Sequence, residues 1–268
     1  MKDYLVAFDS DGCVFDAMEP KHRRCFIPAC LEAFGIDPYR REFTELWLNI
    51  NLYSKTRGMN RFLTLEMTLD AMKEAGYGAL DVMTPLKQWI AGAKELSTAA
   101  LEEYAGELAS PELLQVLGWS LDVNRRIKEI ADDILPYAGA PESIRQVSQA
   151  ADVAVVSSAN YEAIHKEWGK FSLLDCVTEM CGQEKGTKKE CLHLLKNKGY
   201  QSVLMVGDAP GDMEAAQANG CLFYPIIPGR EEWSWAAFKD IVFNDFMNGK
   251  YINENEYRRA FKELILQA

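Results

Sequence analysis

The stretch VAFDSDGCVFD, residues 6–16, runs an apolar segment into two carboxylates, Asp9 and Asp11, one residue apart. Unpaired carboxylates taken out of water are costly, so a buried strand ending this way needs something at its tip to compensate them. Three further apolar runs share its form: VAVV (153–156), VLMV (203–206) and CLFYPII (221–227), beside YLVAF (4–8) itself. None alternates polar with apolar residues, which suits strands of a parallel sheet buried on both faces. The segments between the last three runs read as helices. Ala159 to Gly169 is one, and APGDMEAAQANG (209–220) is another. TKKECLHLLKNKG (187–199) is the clearest, with Thr187 and Glu190 in a capping-box pattern and Gly199 as a stop. Strand–helix alternation of this kind predicts an α/β, doubly wound parallel sheet.

From Phe15 to about Pro136 the alternation gives way to helical segments, the longest being TPLKQWIAGAKELSTAALEEYAG (84–106) and SPELLQVLGWSLDVNRRIKEIADDI (110–134). The expected organisation is therefore a sheet domain, 1–15 and 136–268, carrying an all-α insertion, 16–135. Pro136 to Gly139 reads as the return hinge. The tail from Glu231 to Ala268 is helical and aromatic, with packing against the sheet domain as its expected role.

Bulk properties narrow the function. The 268 residues are 48% hydrophobic and 26% charged, which leaves no room for a disordered chain. Lys plus Arg total 29 against 40 Asp plus Glu, a net charge of −11, and this disfavours a nucleic-acid or anionic-membrane surface. Seven cysteines with no C-x-x-C pair fit buried thiols in a reducing cytoplasm better than a disulfide framework. Neither a leader segment nor a membrane span is expected.

Each expected strand ends in reactive or anion-binding residues: Asp9 and Asp11, then Ser157 and Ser158, then Gly207 and Asp208. In an open parallel sheet, ligands bind beyond the carboxyl ends of the strands, so these residues should converge. Asp9, Asp11 and Asp208, with Asp212 four residues on, suit a hard cation such as Mg²⁺ with oxygen ligands. For Asp212, the acid of a helix N-terminus is an equal alternative.

The stretches DSDGCVFD, VVSSAN, EKGTKK and VGDAPGD, in this order and at strand or helix ends, resemble the four motifs of the haloacid dehalogenase superfamily. Most members of that family are Mg²⁺-dependent phosphatases and phosphotransferases. The resemblance implies Asp9 as nucleophile, forming an aspartyl-phosphate, and Asp11 as general acid and base. It implies Mg²⁺ held by the Asp9 carboxylate, the Asp11 carbonyl and Asp208, with Asp212 second to them. Ser157 and a lysine would contact the phosphoryl group. Lys188, placed by the cap at Thr187, is preferred to Lys185. Gly12, Ser158 and Asn160 are further substrate-binding candidates from the same stretches. One departure is Cys13, where many relatives carry threonine.

In this superfamily a helical cap inserted after the first motif selects the substrate, and 16–135 is placed accordingly. Arg57 and Arg61 in KTRGMNR (55–61) are its best candidate contacts, with Lys21, His22 and Arg23 in KHRR (21–24) as others. The resulting expectation is hydrolysis of a small phosphorylated metabolite. Its alternatives are a phosphomutase and a non-catalytic phosphate-ligand or partner-binding module.

Overall fold

Strand β1 is the run Tyr4–Phe8, and it lies at the centre of a sheet whose other strands all come at least 140 positions later. The computed structural model describes residues 1–77, 83–108 and 110–267. Strands β2 (Asp152–Val156), β3 (Glu179–Cys181), β4 (Ser202–Gly207) and β5 (Leu222–Pro225) complete a parallel sheet of order β3-β2-β1-β4-β5. The register sets Phe8 beside Val155 and Val206, which brings the carboxyl ends of β1, β2 and β4 level. This is the doubly wound α/β architecture the apolar runs predict. The chain order reverses direction across the sheet at β1, so the ends of β1 and β4 flank the switch point where such sheets bind ligands.

Side chains along each strand alternate between the two faces. On one face Leu5, Ala7, Ala154, Val156, Val203 and Met205 pack with Leu192 and Leu195 of helix Lys188–Lys196 and Met213 and Ala216 of helix Pro210–Ala218. On the other, Phe8 and Tyr224 meet the tail, Phe8 stacking on Trp235 at 5.9 Å and Tyr224 lying 5.7 Å from Phe238. Helix Ala140–Ala150 also lies against β2. The tail therefore packs on the sheet, as helices Glu231–Ala237, Phe243–Met247 and Glu254–Gln267 joined in part by a π-helical turn, Phe238–Val242. Ala268, the last residue of the expected tail, lies outside the described residues.

β3 has no counterpart among the apolar runs. It is three residues long, EMC, begins with an acid and lies at the sheet edge, so neither length nor patterning marks it. The stretch 84–106 is two helices, Met83–Gly92 and Thr98–Leu108, where the sequence suggests one. The second starts afresh because Ser97 Oγ accepts from Ala100 N at 3.2 Å.

The chain divides into two compact units, Met1–Ala17 with Ile134–Gln267, and Met18–Asp133. Within the first unit the outgoing and returning segments are paired: Asp16 N donates to Leu135 O and Tyr137 N to Val14 O, both at 2.9 Å, around a Phe15–Pro136 bridge. The expected hinge at 136–139 is thus a hydrogen-bonded ribbon at its start. In the second unit the described residues pack a helical core around Trp47, Trp89, Trp119, Phe26, Phe43 and Phe62. No helix among the described residues is long and apolar enough to cross a membrane. All seven cysteines are free, six of them buried.

Candidate active site

Asp9 leaves β1 with its own amide donating to Val206 O of β4 at 2.9 Å, so the sheet ladder continues to the first carboxylate. The chain then folds back. Val14 N and Phe15 N both donate to Ser10 O at 2.9 and 3.0 Å, and Gly12, at φ +81°, sends its N–H to Phe15 O at 2.9 Å. A positive φ is costly for residues with a Cβ, which accounts for glycine at this point of the loop. Two fully buried tryptophans from the C-terminal half of the chain hold the loop at two points. Trp168 donates its indole N–H to Ser10 Oγ at 3.1 Å, and Trp235 donates to Cys13 O at 3.0 Å. Cys13 Sγ approaches Val206 O at 3.5 Å as a weak donor. Burial, together with the charges of Asp208, Asp9 and Asp212, pushes its thiol well above the usual range, so it stays protonated.

At the tip of β4, Gly207 and Asp208 lead into helix Pro210–Ala218. Asp212 Oδ2 accepts from Ala209 N at 3.0 Å and caps that helix. A Cβ at Gly207 would lie 2.4 Å from the Asp212 carboxyl group, so only glycine lets the carboxylate fold back over the strand end. The carboxylate oxygens of Asp9, Asp208 and Asp212 lie within 4.8 Å of one another, all buried. Lys188, the first residue of its helix after the Thr187 cap, completes the group. Its Nζ donates to Asp9 Oδ2 at 2.7 Å and to Asp212 Oδ1 at 2.6 Å.

The electrostatics follow from burial. Burial raises the Asp9 carboxyl, and Asp212 adds to this; the Lys188 ammonium works against both, leaving Asp9 at about 7. Asp212 is also raised, by burial first. For Lys188, burial favours the neutral amine, but the Asp212 and Asp9 charges outweigh it and hold the ammonium above the usual lysine range. Three buried carboxylates beside the Lys188 ammonium make an all-oxygen donor set. That set fits a hard divalent cation.

The structure gathers Asp9, Asp208, Asp212 and Lys188. Asp11 is not a member of the carboxylate cluster, whose third member is Asp212; its backbone pairs with Phe15, and the metal contact that the resemblance implies for it runs through its carbonyl. Asp212 is both a cluster member and a helix cap. Lys185 instead forms an ion pair with Glu179, which Lys198 also contacts at 2.6 Å, so it stands outside the cluster. Ser157 follows β2 next to β1, buried, with its N–H on Cys181 O at 2.9 Å and its Oγ accepting from Ala159 N at 3.2 Å. Ser158 is exposed. Asn160 caps helix Tyr161–Lys170, accepting from Ala163 N at 2.8 Å. In the helical unit, Arg57 is buried and donates to Leu52 O at 3.0 Å. Arg61 donates to Asn124 Oδ1 at 2.7 Å and lies over the Phe26 ring at 5.2 Å.

The model of the haloacid dehalogenase-like hydrolases matches residues 5–220, which spans every element of this cluster. The chain belongs to this family. It is accordingly a hydrolase, and the five-stranded parallel sheet is the family's core. A comparison with curated proteins gives no match. Among solved structures, the chain is similar to a predicted phosphoglycolate phosphatase from Haemophilus somnus 129pt, at 16% identity and TM-score 0.55, over 84% of this chain and 86% of that one. A structure named for the same activity from Lactobacillus delbrueckii subsp. bulgaricus gives 18% identity, TM-score 0.51 and the same coverage. One from Lactobacillus plantarum gives 14% identity and TM-score 0.50, over 87% and 91% of the two chains. At such identities the likeness is one of fold.

Sequence reasoning missed Ser10, Trp168 and Trp235 as parts of the site. Ser10 lies inside the motif, between Asp9 and Asp11, and that position was the available sign. The two tryptophans carry no local mark, since their partners are 158 and 222 positions away.

Proposed function

We propose that this hydrolase is a Mg²⁺-dependent phosphatase that removes the phosphoryl group of a small phosphorylated metabolite by way of Asp9. The observation that carries the reading is the buried Asp9 carboxylate held at 2.7 Å by Lys188, beside Asp208 and Asp212. A carboxylate fixed at a strand tip is a positioned nucleophile, and covalent transfer to it splits one difficult displacement into two easier ones. Asp9 Oδ1 accepts from Ser10 N at 2.7 Å and Oδ2 from Lys188, so both oxygens are oriented before substrate arrives. Lys188 offers positive charge to the transferring phosphoryl oxygens, and Ser157 supplies a hydroxyl at the end of the adjacent strand. Asp11 protonates the departing oxygen and then takes a proton from the attacking water. Asp9, Asp208 and Asp212 would hold Mg²⁺, which shields the repulsion between carboxylate and phosphate. The helical unit Met18–Asp133 is assigned to choosing the substrate. The free cysteines support a reducing, cytoplasmic setting.

The test is a panel of phosphorylated metabolites with and without Mg²⁺, followed by acid quench and mass detection of the labelled peptide. A phosphoryl group on Asp9 is expected. Turnover in excess chelator would remove the metal, and label on another residue would remove the nucleophile.

A further inference from the structure

The edge strand β3 ends on Cys181, and helix Lys188–Lys196 carries Cys191 about one turn after Lys188. Both thiols are free and buried, and both belong to the core between the sheet and that helix. Their side chains share a hydrogen bond, so the two sulfurs face each other between strand and helix. Cys191 Sγ also approaches Gly186 O at 3.9 Å, in the turn that leads to the Thr187 cap. The Cys181 carbonyl accepts from Ser157 N at 2.9 Å. One cysteine of the pair is thereby tied to Ser157, and the other shares a helix with Lys188.

The two thiols are unequal. The hydrogen bond from Cys191 draws Cys181 below the ordinary thiol range, and the Lys185 and Lys198 ammoniums add to this against burial and Glu179. Donating that hydrogen bond, and then burial, raise Cys191 well above the same range. Such a pair holds one thiol poised to react as thiolate and a neighbour placed to resolve its oxidised form. Glu179 lies on the same face of β3 as Cys181 and binds Lys185 and Lys198, whose side chains are 44% and 43% exposed. Cys181 thus stands at the sheet edge beside a solvent-facing ion-pair cluster, within reach of a molecule as small as hydrogen peroxide.

We propose that Cys181 and Cys191 form a redox site, closed to a disulfide by a hydroperoxide and reopened by a low-molecular-weight thiol, and that closure shifts Lys188 against Asp9. The Cys181 thiolate attacks one peroxide oxygen and the O–O bond breaks, leaving a sulfenic acid and a hydroxide that takes up a proton. Cys191 then gives up its proton and attacks that sulfur; the S–S bond forms, the S–O bond breaks and a second water leaves. Two thiols lose two electrons and two protons, and the peroxide becomes two waters. A covalent S–S contact is shorter than a hydrogen-bonded one, and Cys191 loses the S–H directed at Gly186 O, so closure moves the first turn of the helix. Lys188 opens that turn, and its contacts of 2.7 and 2.6 Å to Asp9 and Asp212 move with it. The effect on turnover rests on the phosphatase reading above; the bridge itself does not.

The experiment treats the full chain with hydrogen peroxide, blocks remaining thiols with N-ethylmaleimide and digests with trypsin without reduction. Residues 171–185 and 190–196 are expected as one linked peptide, with fragmentation separating Cys181 from Cys176 in the first. Hydrogen exchange read by mass should be faster over 188–191 in the oxidised protein. Turnover of p-nitrophenyl phosphate should fall about 10–100-fold, the range for misplacing a group by about 1 Å. Dithiothreitol should reverse all three changes. Cys181→Ala and Cys191→Ala, each shown to be folded by its thermal melt, should form no bridge and keep their turnover under peroxide. Absence of the linked peptide, or an equal loss of turnover in the two variants, would overturn the site. A bridge with unchanged exchange would overturn its connection to Lys188. Linkage and exchange need no turnover, so failure of phosphatase activity and failure of this site are distinguishable.

Discussion

Trp235 donates its indole N–H to the carbonyl oxygen of Cys13 at 3.0 Å, across 222 positions of sequence. The loop carrying Asp9 and Asp11 is thus closed from the far end of the chain, while Trp168 holds it at Ser10.

Replacing either tryptophan by Phe keeps most of the ring packing and removes the donor. Trp235→Phe leaves a buried carbonyl without its partner, at a cost of about 1–3 kcal/mol. A lower kcat with little change in KM for a small ester is expected, because the loop orients groups at the reacting end. Thermal melts and steady-state kinetics on Trp168→Phe and Trp235→Phe check this. A stability loss with unchanged kcat would make the two bonds structural only.

The two lysines of EKGTKK should behave differently. Lys188→Met leaves Asp9 and Asp212 without their ammonium and should reduce turnover about 10²–10³-fold. Lys185→Met removes only a partly exposed ion pair to Glu179 and should cost at most about 1 kcal/mol of stability, with turnover nearly unchanged. Parallel kinetics and melts on both variants decide.

Asp11 and Asp9 should separate by leaving group. Loss of general acid help costs a factor of about 10²–10⁴, and this should shrink for Asp11→Asn as the leaving group becomes more acidic. Asp9→Asn should show no such rescue. A series of aryl phosphates measures both slopes, and equal slopes would contradict the assigned roles.

Metal binding should release a proton. Burial holds the metal-free Asp9 carboxyl at about 7, so below that pH a cation must displace a proton and its affinity should fall about tenfold per pH unit. Above it the affinity should level off. Calorimetric titration with Mg²⁺ in two buffers of different ionisation enthalpy reads the proton directly, near one at about pH 6 and near zero at about pH 8. Absence of release at the lower pH would show Asp9 already ionised.

His22 should make the fold acid-sensitive. Its folded pKa, about 3, lies below the unfolded value of 6.5, so the unfolded chain takes up the proton first and stability is lost as pH falls from about 6.5 toward 3. Between about pH 7.5 and 5 the parent should lose about 2 kcal/mol relative to His22→Phe, because the opposing gain from the raised Asp9 carboxyl is common to both. Urea unfolding at both pH values compares the two.

Much of this was legible because the informative residues act locally. Thr187 and Glu190 announce a helix start, and the helix start fixes Lys188. The runs 4–8, 153–156 and 203–206 are apolar throughout because both sheet faces are covered, and that leaves their acidic ends conspicuous. Other features depend on distant partners. Whether Arg61 faces solvent or Asn124 is decided by the packing of one helix on another, 63 positions apart. Asp11 sits one residue from Asp9, yet the buried carboxylate cluster joins Asp9 to Asp208 and Asp212, and D-x-D spacing carries no record of that grouping.

The central position of β1 also bears on how the protein is made. Both strands that flank it, β2 and β4, emerge long after it, and its last neighbour begins at Ser202. At about 5–20 residues per second, the ribosome needs roughly 10–40 s to supply that neighbour. For that interval the segment destined to carry the nucleophile is a nascent, sticky β-strand with both hydrogen-bonding edges open, a natural client for a chaperone.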